Sequence, residues 1–310
     1  MKIAFIFPGQ GSQSVGMMDA WAGDDAVRST LRAGDLALGE DLSGLMARGP
    51  ADTLNLTVHT QPAMLLASVA TYHAWLQAGG RPPDLVAGHS LGEYSALVAA
   101  GSLDLADGVR LVRVRAQAMQ SAVPVGEGGM AAILGLSDEA VAQLCQEASG
   151  GEIVEPVNFN APEQVVIAGH AAAVQRACER ARAAGAKRAL PLPVSAPFHS
   201  RLLEPAAVAL RQALADIPLH APAMPLVNNV DVASPQDPQA IRDALVRQAW
   251  HPVRWVEVVR ALKQRGATHM VECGPGKVLA GLVRRIDRDI QTFNITDPAS
   301  LRHTLDALGG

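Results

Sequence analysis

Asp84-Leu85-Val86-Ala87-Gly88-His89-Ser90-Leu91-Gly92 carries a short apolar strand into a helical stretch, 91–100, which Gly101 stops. Residues 88–92 fit G-x-S-x-G. A serine at such a strand-to-helix elbow sits on a strained turn that exposes its hydroxyl. The flanking glycines let the chain turn tightly. The following helix aims free N–H groups at any oxyanion that forms beside it. Ser90 is therefore the candidate nucleophile.

Outward from the elbow the same rhythm repeats. Residues 3–7 read as a strand, 61–76 as a helix ending at Gly79-Gly80, and 105–119 as a helix ended by Pro124. Strands alternating with helices predict an α/β domain with a mostly parallel sheet. The middle changes character. Between a Pro/Gly-rich stretch at 124–129 and a return through Pro191, Pro193 and Pro197, strands are expected at 130–136, 153–158, 165–168 and 187–192. Helices are expected at 138–148 and 171–184, capped by Ser137 and Gly185, with a turn at 161–164. That order, βαββαβ, is the split arrangement of a ferredoxin-like subdomain. The predicted organisation is a large domain of residues 1–125 and 193–310 with an inserted subdomain at 126–192.

The chain has 310 residues, 49% of them apolar and 18% charged, which suits a globular protein with a sizeable core. A formal charge of −4 argues against nucleic acid as partner. No apolar run reaches the roughly 18 residues that span a bilayer, so no membrane is expected. The start of the chain reads as a strand rather than an export signal. The three cysteines, Cys145, Cys178 and Cys273, are widely spaced without CxxC. A reducing cytoplasm is the expected location, and neither a disulfide framework nor a metal site is expected. Residues 9–14, 126–131 and 274–277 imitate nucleotide-binding loops only loosely and read as tight turns.

A serine hydroxyl needs a base. Nine histidines are candidates. His89 adjoins Ser90, but at such a turn its side chain points elsewhere, and it reads as structural. His199, in Ser195-Ala196-Pro197-Phe198-His199-Ser200, lies where the chain re-enters the large domain beside the interdomain cleft. By itself a lone histidine settles nothing.

Several segments together are more specific. Phe7-Pro8-Gly9-Gln10-Gly11-Ser12-Gln13, Thr60-Gln61-Pro62-Ala63, Gly88-His89-Ser90-Leu91-Gly92-Glu93, Arg115, Asn160, Pro197-Phe198-His199-Ser200, Gln248 with Pro252-Val253-Arg254-Trp255, and Gly274-Pro275-Gly276-Lys277 follow one another along nearly the whole chain. In that order they resemble the malonyl-CoA:acyl carrier protein transacylases. The resemblance implies an α/β-hydrolase-like large domain with an inserted ferredoxin-like subdomain. It implies ping-pong transfer of malonyl from malonyl-CoA, through an ester on Ser90, to the phosphopantetheine thiol of acyl carrier protein, supplying fatty acid synthesis. Coenzyme A enters as acyl carrier, no other cofactor is implied, and a monomer is expected.

The same resemblance makes His199 the base and the backbone carbonyl of Gln248 its orienter. An Asp or Glu in that third place is the alternative. It makes the N–H groups of Gln10 and Leu91 the oxyanion hole and Arg115 the anchor of the malonyl carboxylate. Gln61 and Phe198 would line the acyl pocket, with Phe198 and Leu91 excluding a branched acyl group, and Asn160 would face the cleft. Arg115 has an independent hint. Its helical neighbours Leu111, Val112, Ala118 and Met119 are apolar, whereas Arg110 and Arg113 have polar ones and read as solvated. A guanidinium on an apolar face calls for an anion. Lys187, Arg188, Lys277, Arg284 and Arg285 are candidates for docking an acidic carrier. A serine hydrolase is the rival reading, since the elbow alone favours it, and a non-catalytic binding partner with the same fold is the third.

Overall fold

The computed structural model describes residues 1–309. In chain order, β1 (Ile3–Phe7) and β2 (Leu85–Gly88) open one sheet. The strands β3 (Gly128–Leu134), β4 (Val154–Ala161), β5 (Gln164–His170) and β6 (Arg188–Pro191) make a second. The chain then returns to the first with β7 (Leu226–Val227), β8 (His269–Cys273) and β9 (Gln291–Ile295). The first sheet is five-stranded, in the order β7-β2-β1-β8-β9, and every pair in it is parallel. The second is four-stranded and antiparallel, in the ferredoxin-like order β4-β5-β3-β6. The fold is thus an α/β-hydrolase-like domain with an inserted ferredoxin-like subdomain.

All five residues of β1 are buried, as a central parallel strand covered on both faces requires. The helix Thr57–Gln77 crosses this core and is buried on nearly every side. It begins a turn before the expected position 61 and runs through Pro62. Pro62 has no N–H for the Val58 carbonyl, yet all-round packing holds the turn in place.

The second sheet is two-faced. Ala131, Ile133, Val165 and Ile167 pack on the helices Asp138–Ala148 and Ala171–Ala183. Met130, Val166 and Ala168, from alternate positions of the same strands, pack with Phe198 on the other side. The face that an antiparallel sheet often turns to water here walls the interdomain cleft. Ser137 caps the first helix by accepting from the Ala140 N–H, and Gly185 follows the second at φ 91°.

Several strand boundaries in this subdomain differ from expectation. Strand β3 starts at Gly128, because Gly128 and Gly129 pair with His170 and Gly169. Pairing across the hairpin persists to Ala161 and Gln164, so only Pro162-Glu163 turn, with Glu163 at φ 57°. A Cβ on Gly128 would lie 2.5 Å from Pro197 Cδ, so the two crossings between domains touch. The subdomain is also tied down beyond them. Phe159 N–H donates to the Val253 carbonyl (3.0 Å) and Val253 N–H to that of Val157 (2.9 Å), just past the helix Pro238–Gln248.

Candidate active site

The elbow is shaped by what cannot fit there. A Cβ on Gly88 would lie 1.9 Å from the Gly92 carbonyl carbon, and one on Gly92 would lie 2.0 Å from the Phe7 oxygen. Ser90 itself is left-handed, at φ 52°, a conformation a non-glycine residue keeps only when its surroundings impose it. Asn229 imposes it. Its Oδ1 accepts from Ser90 N–H at 2.7 Å, and its Nδ2 donates to the Gly88 carbonyl at 2.7 Å.

Ser90 Oγ lies 2.6 Å from His199 Nε2. His199 is also left-handed, at φ 66°, and only 3% exposed. Its Nδ1 lies 2.9 Å from the Gln248 carbonyl oxygen. A carbonyl only accepts, so the ring proton sits on Nδ1 and the Nε2 lone pair faces the serine O–H. No Asp or Glu hydrogen-bonds this ring among the described residues. Burial, and after it the nearby Arg115 charge, push the imidazole pKa down to about 3. It is therefore neutral, and able to take a proton, throughout the physiological range.

Gln10 and Leu91 line the cleft together with Ser90. Neither backbone N–H has an acceptor among the described residues. The helix begins at Gly92, one residue later than expected, which leaves Leu91 as its N-cap with a free N–H. The Gln10 side chain is anchored through a chain of hydrogen bonds. Its Oε1 accepts from Thr57 Oγ1 (2.8 Å), Thr57 Oγ1 accepts from Gln61 Nε2 (3.0 Å), and Gln61 Oε1 accepts from Arg115 Nη1 (2.7 Å).

Arg115 is 2% exposed. Its Nη2 donates to Ser90 Oγ at 3.2 Å and to Gln248 Oε1 at 3.0 Å, and its Cζ lies 5.3 Å from the centre of the Tyr94 ring. It forms no ion pair with a carboxylate, and its Nε has no partner among the described residues. Burial lowers its pKa, against the raising charges of Tyr94 and Glu93, neither of which forms an ion pair with it. Arg110 is solvated beside Asp107. Arg113 is not solvated as expected: its side chain is 13% exposed and forks onto Glu40.

The remaining expected residues converge on the same cleft of about 200 Å³. Phe198 is half-buried against the second sheet, and Gln61 is buried beside Arg115. Asn160 Oδ1 meets His89 Nε2 at 2.8 Å. The His89 ring turns toward Trp255, 5.5 Å between centres, and holds the cleft wall rather than the serine. Glu163 and Gln164 gather two of the exposed cations: Lys187 pairs with Glu163 at 3.5 Å, and Arg285 reaches Gln164. Lys277 is the N-cap of the helix Val278–Ile286, and Arg284 lies in its last turn. No group of three His, Cys, Asp or Glu side chains is placed to hold a metal ion among the described residues. No helix among them is long and apolar enough to cross a membrane.

Sequence reasoning missed Asn229, Glu93 as a site residue, and the side chain of Gln248. Glu93 stood inside the quoted motif. Asn229 follows a short apolar pair at the carboxyl end of a parallel strand, where sites on such sheets gather.

A strained serine, a neutral histidine and two free N–H groups define a serine acyl-transfer site. The comparisons agree with that class: a family model described as acyl transferase domain matches residues 4–296. The malonyl CoA-acyl carrier protein transacylase of Escherichia coli (strain K12) is 53% identical over 306 residues, covering 98% of this chain and 99% of its own. The crystal structure of an acyl-carrier-protein S-malonyltransferase from Burkholderia pseudomallei 1710b superposes with TM-score 0.97 at 61% identity, over 99% of this chain and 100% of that one. A malonyl-transacylase solved in complex with a type II PKS acyl-carrier protein gives TM-score 0.97 at 48% identity, over 99% and 100% of the two chains. The chain belongs to the malonyl CoA-acyl carrier protein transacylase family.

Proposed function

We propose that the chain moves a malonyl group from malonyl-CoA to the phosphopantetheine thiol of acyl carrier protein, as a step of fatty acid synthesis. One observation carries this: Arg115, a buried cation that no carboxylate of the described residues touches directly, donates to the nucleophile Ser90 Oγ at 3.2 Å. In malonyl thioesters a single methylene separates carboxylate from reacting carbonyl, so a guanidinium next to the serine suits that acyl group.

His199 Nε2 takes the Ser90 proton as Oγ attacks the thioester carbon. The N–H groups of Gln10 and Leu91 hold the oxyanion. Collapse expels the coenzyme A thiolate, which takes the proton from His199. The ester oxygen left on Ser90 is a poor acceptor, which frees Arg115 Nη2 for the malonyl carboxylate. The carrier's thiol then gives its proton to His199, attacks the ester and leaves malonylated, as His199 returns the proton to the departing Ser90 Oγ. Transfer uses the chain's own groups, with coenzyme A as acyl carrier and no further cofactor. The names of the relatives, and the carrier protein held by one of them, support the substrate and partner. Three unpaired buried thiols suit a reducing cytoplasm. We read the working form as a monomer.

Mixing the protein with malonyl-CoA and recording its intact mass tests this. A persisting malonyl adduct on Ser90, discharged by carrier thiol, is expected. Rapid release of free malonate without carrier would make the protein a hydrolase instead.

The exposed cations on the edge by the β4–β5 turn fit an acidic carrier. Raising salt from about 0.05 M to about 0.5 M should lower kcat/KM for the carrier several-fold, leaving a small pantetheine thiol unaffected. Equal salt response for both acceptors would exclude charged docking there.

A further inference from the structure

Glu93, outside the mechanism above, is 2% exposed and forms no salt bridge among the described residues. Its Oε2 accepts from Asn229 N–H at 2.9 Å and from Gln248 Nε2 at 3.1 Å. Gln248 Nε2 also donates to the Ser90 carbonyl at 2.8 Å, while its Oε1 accepts from Arg115. Both amide hydrogens are thus committed to acceptors and the amide oxygen to the guanidinium, so the amide has one orientation. One side chain links cation, nucleophile backbone and carboxylate. Where Glu93 is ionised, its charge and that of Arg115 balance across it in the acyl-free protein.

Arrival of a malonyl carboxylate would bring a second anion to this buried site. Two carboxylates sharing one cation do not both stay ionised. The malonyl group contacts Arg115 directly, whereas Glu93 is one amide removed. Among the described residues Glu93 Oε1 accepts no hydrogen bond, both of those at this carboxyl going to Oε2, so Oε1 can take a proton. Glu93 also lines a small cavity with Asn228, Pro235 and Ile241, which shares no residue with the acyl cleft.

We propose that Glu93 is a positioning residue that balances Arg115 through Gln248 in the acyl-free protein and binds one solvent proton when malonyl is loaded on Ser90. The proposal rests on the malonyl-transfer reading. Burial foremost raises the Glu93 carboxyl to about 7, against lowering by the Asn229 and Gln248 hydrogen bonds and the Arg115 charge. The ionisable groups facing it are Arg115 on the helix Leu105–Ser121, Asp231 in the segment after β7, and its neighbour Tyr94. Asp231 also raises it, and is itself forked by Arg247.

The test is malonyl loading of the full chain by malonyl-CoA, from about pH 6 to about pH 9, followed by intact mass and by calorimetry in buffers of different ionisation heat. In the wild type the loading equilibrium should fall about tenfold per pH unit above neutrality, with nearly one proton taken up per malonyl. Glu93→Gln, which keeps the acceptor oxygen and resembles the protonated state, should load with a flat profile and lose that uptake. The thiol released is the same in both, so its own ionisation cancels. Should the variant not fold, infrared difference spectra of the wild type loaded with carbon-13 malonyl replace it. A new unlabelled carboxylic-acid band is then expected. Loading without proton uptake, uptake unchanged in Glu93→Gln, or no such band overturns the proposal. Absence of any adduct would instead sink the transfer reading itself.

Discussion

Ser90→Ala is expected to form no malonyl adduct and to lose transfer by a factor on the order of 10⁶, the loss typical when a serine nucleophile is removed. That corresponds to about 8 kcal/mol of barrier. The size follows from covalency: without Oγ no ester forms, and thiol-to-thiol exchange has no shared intermediate. The fold should survive, because among the described residues Ser90 Oγ hydrogen-bonds His199 and Arg115 alone, and the elbow is held through Asn229 and backbone. Ser90→Gly sharpens the test. Ser90 sits at φ 52°, and glycine relieves that strain, so this variant should be as inactive yet raise the unfolding midpoint, by about 1 kcal/mol of stability. Intact mass and thermal unfolding read both. An adduct persisting in Ser90→Ala would move the nucleophile elsewhere.

Arg115→Ala should lower kcat/KM for malonyl-CoA between about a hundredfold and a few thousandfold. Losing one partner of a buried ion pair costs about 3–5 kcal/mol. Acetyl-CoA makes no such pair and should lose much less, only what the Nη2 contact to Ser90 contributes. Malonyl-over-acetyl preference should therefore collapse. Arg115→Lys keeps the charge but not the planar fork that spans Gln61 and Gln248, and should fall between. Competition between the two acyl-CoAs, read as the ratio of adduct masses, decides it. An unchanged ratio would take Arg115 out of acyl selection.

The elbow was legible because its signals are local. An apolar tetrad, a glycine on each side of the serine and a helical run suffice to place Ser90 at the end of β2. The ferredoxin-like order was legible for the same reason. The start of the helix at Thr57 was not, because Pro62 speaks against a helix locally and only burial from all sides overrides it. The solvation of Arg113 was misjudged because Glu40, 73 residues away, is invisible to helical spacing. Resemblance rather than spacing pointed to the Gln248 carbonyl, and nothing in the chain showed that its side chain also holds Arg115 and Ser90.

From its residues alone, then, this chain specified an elbow, a two-domain α/β layout and an arginine emerging from an apolar face. Only tertiary structure joined them: Arg115 meets Gln248 across 133 residues, and Ser90 meets His199 across 109. Strand and helix periods follow from neighbours in sequence, whereas the strained Ser90 turn, a proton acceptor and a counter-charge are set by whichever groups packing brings within hydrogen-bond reach.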